Sequence, residues 1–564
     1  MMAEIAVVLS LAAAASHLLF ERLGESSFHD GDEALYATVA REMVEHHSFL
    51  TPTYWGTPFL HKPPLPYWLM AASAATIPGS RELGARFPSA LATLVLLGLV
   101  YASTRRLAGV VAAAFATCVL ALNHQVLFEH AARSASFDAL LSLLMFGALV
   151  AGLKAADGPR WRFAAIVLLG SVALVKAPMV IFPSVAIVLH FWMRERRFPL
   201  ALVLRGAAGV AIVALPWHLY QLIAHGSEFW NTYVVYEILG RAGETTRDTG
   251  ASPIMPFNAT GWSFLPWSPL IVVALVASVA GWPRRPKQPH DDIVRSLGIY
   301  AASILVFFCF IPSKWPWYSI PAYPALAVVA AVFLRRWYDS PARRFLPLVL
   351  AALACACVFL LRTNHEYDPT ARASYRWPAE EPFYLLGAGN ATPVATVAVI
   401  VTLAAAIACL LPLRKTMRML ELAAITAALL IAFQFNYRSV RSVPQTHTSG
   451  VSRLAREVES SGIERVYMLG FSHQDRYGRR PEPFSSYYLL GIRNAQVTDC
   501  GTDLACIASF NDAQAALVVS GPALSEAQLQ DAAARASALA PRLQTWVIQS
   551  PQRYEKLQPL GAAP

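Results

Sequence analysis

Apolar stretches of about 20 residues recur from one end of this chain to the other. They lie at 3–20, 86–104, 109–128, 137–155, 163–178, 179–193, 203–223, 261–282, 297–312, 319–334, 345–361, 393–413 and 419–436. A run of that length is what an α-helix needs to cross the hydrocarbon of a bilayer. In lipid each backbone N–H and C=O must be satisfied within its own segment, which leaves helices or closed barrels as spanning forms. The chain therefore reads as a polytopic helical membrane protein of about 13 transmembrane helices. Its composition agrees: 56% of the 564 residues are hydrophobic and 15% charged, against about 25% charged for a soluble domain. The first run has no basic residues before it and no small-x-small cleavage motif after it, so it reads as a retained helix rather than a removed leader.

The net charge of +10 does not mark a nucleic-acid partner, because the basic residues gather in short loops between runs. Arg105–Arg106, Lys154 with Arg160 and Arg162, Arg194 with Arg196 and Arg197, Arg284–Arg285, Arg335–Arg336 and Arg414–Lys415 all fall on one side when the runs are threaded in order. The positive-inside bias assigns that side to the cytoplasm, which puts the N-terminus inside and the tail outside. The outer side then holds the long first loop (21–85), the stretch 129–136, the loops 224–260, 312–319 and 362–392, and the tail. Within the first loop, 62–79 is apolar but Pro-interrupted, and reads as an interfacial helix with Tyr67 and Trp68 at headgroup depth. Residues 1–436 form the membrane domain and 437–564 a small outer α/β domain. Its strand-like runs are 463–471, 515–521 and 544–550, and an alanine-rich helix at 525–540 is capped by Ser525. Of seven cysteines, five sit in apolar runs; Cys500 and Cys506, in the tail, read equally as a pair or as two free thiols.

Charged residues on the outer side carry the chemistry. "HDGDEALYATVAREM" (29–43) follows the first run. Residues 31–46 fit an amphipathic helix, with Leu35, Val39 and Met43 at i, i+4, i+8 and Tyr36 beside them. Asp30 would cap it, and Asp32 and Glu33 fall in the first turn, where acids complement the helix dipole. Helix initiation and catalysis both remain open for these acids. Asp138 opens the fourth run on the same side. Lys62 sits in a Lys-Pro-Pro stretch, Lys314 between Pro312 and Pro316, and Lys176 at the end of the fifth run. Arg133 and Arg241 are outer-side arginines where the topology rule leaves basic charge scarce. Each alone reads as a snorkelling or headgroup contact. Together they suit a phosphate whose apolar tail stays in lipid, with a carboxylate near it as general base.

The motifs carry a resemblance. "DGDEALYATVAREM", Lys-Pro-Pro at 62–64, "ELGARFPSALAT", "ARSASFDALL", "LVKAP", "LPWHLY" and "PSKWPWYSIPAYPALAV" occur in this order. The set resembles the GT-C membrane glycosyltransferases, above all the lipid A aminoarabinose transferase branch related to protein O-mannosyltransferases, over roughly residues 1–335. The resemblance implies Asp32, of the Asp32–Glu33 pair, as the catalytic aspartate and Asp138 as the second acidic site residue. It implies that Lys62 contacts the donor lipid's phosphate, and that Ser313, Lys314, Pro316 and Tyr318 lie near the donor, a polyprenyl phosphate sugar. Two positions depart from the branch. Ala34–Leu35 replaces its usual Gly-Arg, and His61 replaces the Glu usual before Lys-Pro-Pro.

The residues and the resemblance together imply an inverting transfer from a polyprenyl-phosphate-linked sugar to a lipid or glycan acceptor, lipid A among them, at the periplasmic face of the bacterial inner membrane. Lys62, with Lys314 or Arg241, would neutralise the departing phosphate. Asp32 would take an acceptor hydroxyl's proton, or steady the sugar's developing positive charge if the acceptor is itself a phosphate. The sequence marks no definite cofactor; a divalent ion held by His61 and His218 with an acid is the alternative to ordinary hydrogen-bonded imidazoles. Protein O-glycosylation with the same donor class is a second reading. A lipid-linked-sugar flippase and an envelope scaffold are rivals from other classes. A transporter would place its polar groups near the bilayer midplane, often in paired repeats, and neither feature is seen here.

Overall fold

The computed structural model describes residues 2–28, 31–243, 252–264, 267–280 and 290–339. In the tail it describes 454, 455, 457, 458, 460, 463, 465–469, 496–499, 515–520, 544–550 and 553–557. The runs 345–361, 393–413 and 419–436, Asp30, the 525–540 helix and both tail cysteines lie outside the described residues. The chain divides into two compact units, one of 1–21, 60–66 and 86–442, the other of 22–59, 67–85 and 443–564.

In the first unit the helices follow the apolar runs. They are α1 (Met2–Phe20), α4 (Arg81–Ala121), α5 (His124–Phe128), α6 (Asp138–Leu153), α7 (Pro159–Lys176), α8 (Ile181–Glu195), α9 (Leu200–Phe229), α10 (Arg241–Gly243), α11 (Met255–Ser263), α12 (Ser268–Ala280), α13 (Asp291–Phe310) and α14 (Tyr323–Tyr338). The second unit adds most of α2 (Gly31–Glu45) and α3 (Leu65–Thr76). Five helical stretches of the described residues are long and apolar enough to cross a membrane, with shorter apolar helices beside them. The expected runs 86–104 and 109–128 share α4, bent where Gly109 takes φ 85°, a left-handed conformation that costs glycine little. The turn between the fifth and sixth runs is a 3₁₀ turn, Ala177–Val180. The expected loop 224–260 is instead helical as far as Gly243: past Phe229 the chain continues as a wide π-helix, Trp230–Gly240. His225, Ser227, Glu228 and Asn231 lower the hydropathy there without stopping the helix.

Helix α6, buried along nearly its whole length, and the first ten residues of helix α14, Tyr323 to Val332, form the centre. Helix α9 shows the opposite pattern, with Ile212 and Ile223 exposed at 76% and 83%, as a lipid-facing helix should. Lipid tails offer no hydrophobic gain for helix association, so close packing through small residues does that work. A methyl built on Gly209 of α9 would come within 2.6 Å of Ile166 Cγ2 on α7, and one on Gly170 of α7 would run into Val213 of α9. The two helices thus notch into each other in both directions. Each end of α1 is tied down. Glu4 pairs with Arg105 at one end. At the other, Arg133 donates to the carbonyls of Leu18, Leu19 and Glu21 at 2.8, 3.1 and 2.9 Å.

In the second unit α2 departs from expectation. Leu35, Val39 and Met43 are buried, but so are Ala34, Ala37, Thr38, Ala40 and Glu42. The helix is packed on almost every face rather than amphipathic, since alanines on the remaining faces let neighbours approach. Tyr67, expected at headgroup depth, is fully buried, with its ring 6.0 Å from Tyr36 and 6.2 Å from Phe59. Trp68 donates its indole N–H to the Phe49 carbonyl. A two-residue hairpin, β1 (Thr53–Tyr54) and β2 (Thr57–Pro58), turns through Trp55 and Gly56 at φ 58° and 67°. Buried Glu42 holds this turn, accepting from Thr53 Oγ1, Trp55 N and Gly56 N at 2.9, 2.8 and 3.1 Å. In the tail, β3 (Arg465–Leu469), β4 (Gln496–Asp499), β5 (Ala515–Ser520), β6 (Gln544–Ser550) and β7 (Arg553–Leu557) form one sheet in the order β4-β3-β5-β6-β7. It is parallel except for β7, which returns antiparallel on β6. The expected strands are present, and β4 and β7 join them.

Candidate active site

Five of the expected basic and aromatic residues meet in the first unit, around an acid that sequence reasoning passed over. Glu237, on the π-helix, is 4% exposed at its side chain. Lys62 Nζ donates to its Oε2 at 2.7 Å, Arg241 Nε approaches the same oxygen at 2.8 Å, and Arg241 Nη2 donates to Oε1 at 3.2 Å. His61 Nδ1 lies 3.1 Å from Oε1, and since a carboxylate only accepts, that nitrogen carries the proton. Arg241 Nη1 reaches the Tyr318 hydroxyl at 3.2 Å, and Lys176 Nζ stands 4.2 Å from the centroid of the Tyr318 ring.

Local structure explains the convergence. Pro63 and Pro64 follow Lys62 and keep it out of a helix, on the loop before α3. Lys176 ends α7 with extended backbone, φ −158° and ψ 87°. Tyr318 sits on the 3₁₀ turn Pro316–Ala322. Glu237 and Arg241 lie four residues apart across the junction of the π-helix and α10. Lys62 and Arg241 share one carboxylate, and Lys176 stands near them over Tyr318, which leaves a surplus of positive charge in a half-buried place. Burial, with Arg241 and Lys176 adding repulsion and Glu237 opposing them, pulls the Lys62 ammonium down to about 8. A site that strains to keep its lysine charged gains by taking up an anion.

The other expected residues lie elsewhere. Asp138 is buried at the start of α6, with Oδ2 3.8 Å from His130 Nδ1. The His130 ring stacks on Trp317 at 4.0 Å and 7°, and Trp317 on Trp315 at 5.1 Å and 2°. This stack adjoins Tyr318 in sequence and ties Asp138 to the same turn. His130 takes φ 58°, a conformation that costs a non-glycine residue about 1 kcal/mol or more. Lys314 is buried and donates to the Cys309 carbonyl at 3.3 Å; Arg241, not Lys314, is the cation grouped with Lys62. Arg133, expected to bind the donor phosphate, is buried and spends its guanidinium on the end of α1, where burial pushes it down to about 9. His218 bonds the Ala214 carbonyl at 2.8 Å and the Tyr233 hydroxyl at 3.3 Å, apart from the His61–Glu237 pair. Among the described residues no group of three or more His, Cys, Asp or Glu side chains is placed to hold a metal ion.

In the second unit, Asp32 and Glu33 occupy the first turn of α2 as expected. Glu33 is fully buried and Asp32 half-buried, so of the two Asp32 is the carboxylate open to a reactant. Tyr36 lies one turn on and packs against Tyr67.

The dolichyl-phosphate-mannose-protein mannosyltransferase family matches residues 61–220. A protein of unknown function from Aquifex aeolicus is 29% identical over 357 residues, covering 61% of this chain and 68% of its own length. An undecaprenyl phosphate-alpha-4-amino-4-deoxy-L-arabinose arabinosyl transferase from Pseudomonas fluorescens is 28% identical over 360 residues. That match covers 60% of this chain and 61% of the relative. The crystal structure of ArnT from Cupriavidus metallidurans bound to undecaprenyl phosphate superposes with a TM-score of 0.65 at 19% identity, over 96% of this chain and 93% of that one. The helical membrane architecture, the ordered motifs and these matches make the chain similar to the GT-C membrane glycosyltransferases of the aminoarabinose transferase and protein O-mannosyltransferase type.

Proposed function

We propose that this protein transfers a sugar from a polyprenyl-phosphate-linked donor to an acceptor of the bacterial envelope, with inversion at the anomeric carbon. The observation that carries this reading is the meeting of Lys62, Arg241, Lys176 and Tyr318 in one half-buried, positively charged cluster. In the reaction the bond between the anomeric carbon and the phosphate oxygen breaks, and the polyprenyl phosphate leaves with both electrons. Lys62 and Arg241 offset the negative charge that develops on that oxygen, from positions fixed before the reaction begins. An acceptor oxygen forms the new bond from the opposite face. If that oxygen is a hydroxyl, its proton passes to Asp32; if it is a phosphate, Asp32 steadies the positive charge on the sugar ring instead.

Supporting this reading, the relatives named above include a transferase whose name specifies an undecaprenyl-phosphate aminoarabinose donor. Lipid A or another envelope lipid or glycan is the acceptor class we infer, with the site opening to the periplasm, the N-terminus cytoplasmic and the tail periplasmic. Pairing of α1's start with Arg105, of the basic Arg105–Arg106 pair, fits that sidedness. The mannosyltransferase family match favours a protein acceptor as the second reading. The test is incubation of purified protein with a panel of polyprenyl-phosphate sugars, followed by mass spectrometry of lipid, glycan and protein acceptors. Transfer to a lipid or glycan is the expected result. Release or transfer from no donor in the panel would overturn the reading and favour a flippase.

A further inference from the structure

Resting on the donor-phosphate reading just given, we propose that Glu237 is a positioning residue: a built-in counter-anion that sets Lys62 and Arg241 side by side for the donor phosphate before the donor arrives. Its two oxygens take four contacts, two of them from Arg241 and one each from Lys62 and His61. Three of these are hydrogen bonds and the fourth is the close approach of Arg241 Nε; a carboxylate ringed by cations in this way is a poor proton acceptor, so Glu237 does not serve as the reaction's base. The contacts join parts of the chain 175 residues or more apart. Consecutive residues of one loop, His61 and Lys62, close on a single carboxylate and are docked by it against the π-helix.

The cluster's charge balance requires such a residue. Lys62 faces Glu237, Arg241, Lys176 and His61. Arg241 and Lys176 both oppose its charge, as burial does, and Glu237 alone of these groups supports it. Without that carboxylate, three basic groups would crowd a half-buried place with nothing to offset them. Lys62 would then lose its proton or swing away, and the phosphate would meet one fixed cation instead of two. With it, one of the three Lys62 N–H donors is used, and the ammonium stays charged and aimed. The single carboxylate leaves the cluster net positive, so the donor still finds an attractive site and the product phosphate is not held by all three cations unopposed.

The test uses the full-length protein in detergent, with undecaprenyl phosphate as the probe and binding measured from pH 6 to pH 9. Glu237→Gln is expected to weaken binding at least tenfold at pH 7.5. It should also move the alkaline loss of binding to lower pH, with partial recovery at pH 6. Lys62→Arg, combined with Glu237→Gln, should bind without that alkaline loss, because a guanidinium keeps its charge without help. If Glu237→Gln fails to fold, Glu237→Asp gives the same reading with a smaller shift. Binding by Glu237→Gln as tight as wild type, or tighter, with an unmoved pH profile overturns the proposal. Wild-type protein that binds no polyprenyl phosphate defeats the functional reading itself.

Discussion

Lys176 rests its ammonium 4.2 Å from the centre of the Tyr318 ring, while the same tyrosine's hydroxyl receives Arg241 at 3.2 Å. One aromatic side chain therefore holds two of the three cations, by its face and by its edge. Removing the hydroxyl and removing the ring should have separable effects. Tyr318→Phe loses a hydrogen bond to a charged group, worth about 1.5–3 kcal/mol, and is expected to raise the donor KM about tenfold with kcat little changed. Tyr318→Ala also frees Lys176 and should raise it further. Initial rates against donor concentration for both variants check this, and equal effects would show that the ring face contributes nothing.

Asp32→Asn should abolish transfer, by at least two to four powers of ten as for loss of a general base, while undecaprenyl phosphate still binds and the unfolding temperature holds. Glu33→Gln, on a fully buried side chain, should instead lower the unfolding temperature. An active Asp32→Asn protein would remove Asp32 from the mechanism.

Lys62 gives the free protein a pH dependence whose sign is fixed. Its ammonium lies at about 8 in the fold against an ordinary 10.5, so the unfolded chain holds the proton more tightly. Stability then rises with pH between roughly 8 and 10.5, because the cost of the buried charge, present in full below 8, disappears there. Donor capture runs the other way and falls as pH passes about 8. The profile of kcat/KM from pH 6 to 9.5 should show that alkaline limb, and Lys62→Arg should remove it.

The hairpin held by Glu42 predicts opposite effects at neighbouring residues. Glu42→Ala strands the Trp55 and Gly56 amides and should cost about 2–4 kcal/mol. Trp55→Gly relieves a left-handed conformation that costs a non-glycine residue about 1–2 kcal/mol, though it loses the indole's packing. It should be far milder than Glu42→Ala and neutral or better if the exposed side of the ring dominates. Thermal unfolding followed by tryptophan-independent circular dichroism distinguishes the two.

The interlocked glycines predict that Gly170→Leu and Gly209→Leu each push α7 and α9 apart, lowering the unfolding temperature by several degrees. Gly206→Leu, on the same helix with open space around it, should be tolerated.

Much of this was legible in the sequence because lipid imposes a length rule that apolar runs obey. The spans at 3–20, 137–155 and 163–178 reappear within a few residues as α1, α6 and α7. The basic and aromatic members of the cluster were legible one by one, since charge on the outer side needs a reason. Glu237 was hidden because the 224–260 segment reads as a loop by hydropathy. Its signal was an acid among Tyr233, Val234, Val235 and Ile238 with an arginine four residues on, a helical pairing at intramembrane cost. Arg133 shows the converse. No pattern of residue types reveals that its guanidinium turns inward to the carbonyls ending α1 rather than outward to a ligand.

That inward turn has a mechanical result. Fastened by Arg105 at its start and by Arg133 at its finish, α1 and the segment leading into α6 travel as one post, carrying Asp138 with them. Helix α9 contrasts with that post: it is exposed at Ile212 and Ile223, interrupted by Pro216 and bent at Gly226, and it runs on into the π-helix that carries Glu237.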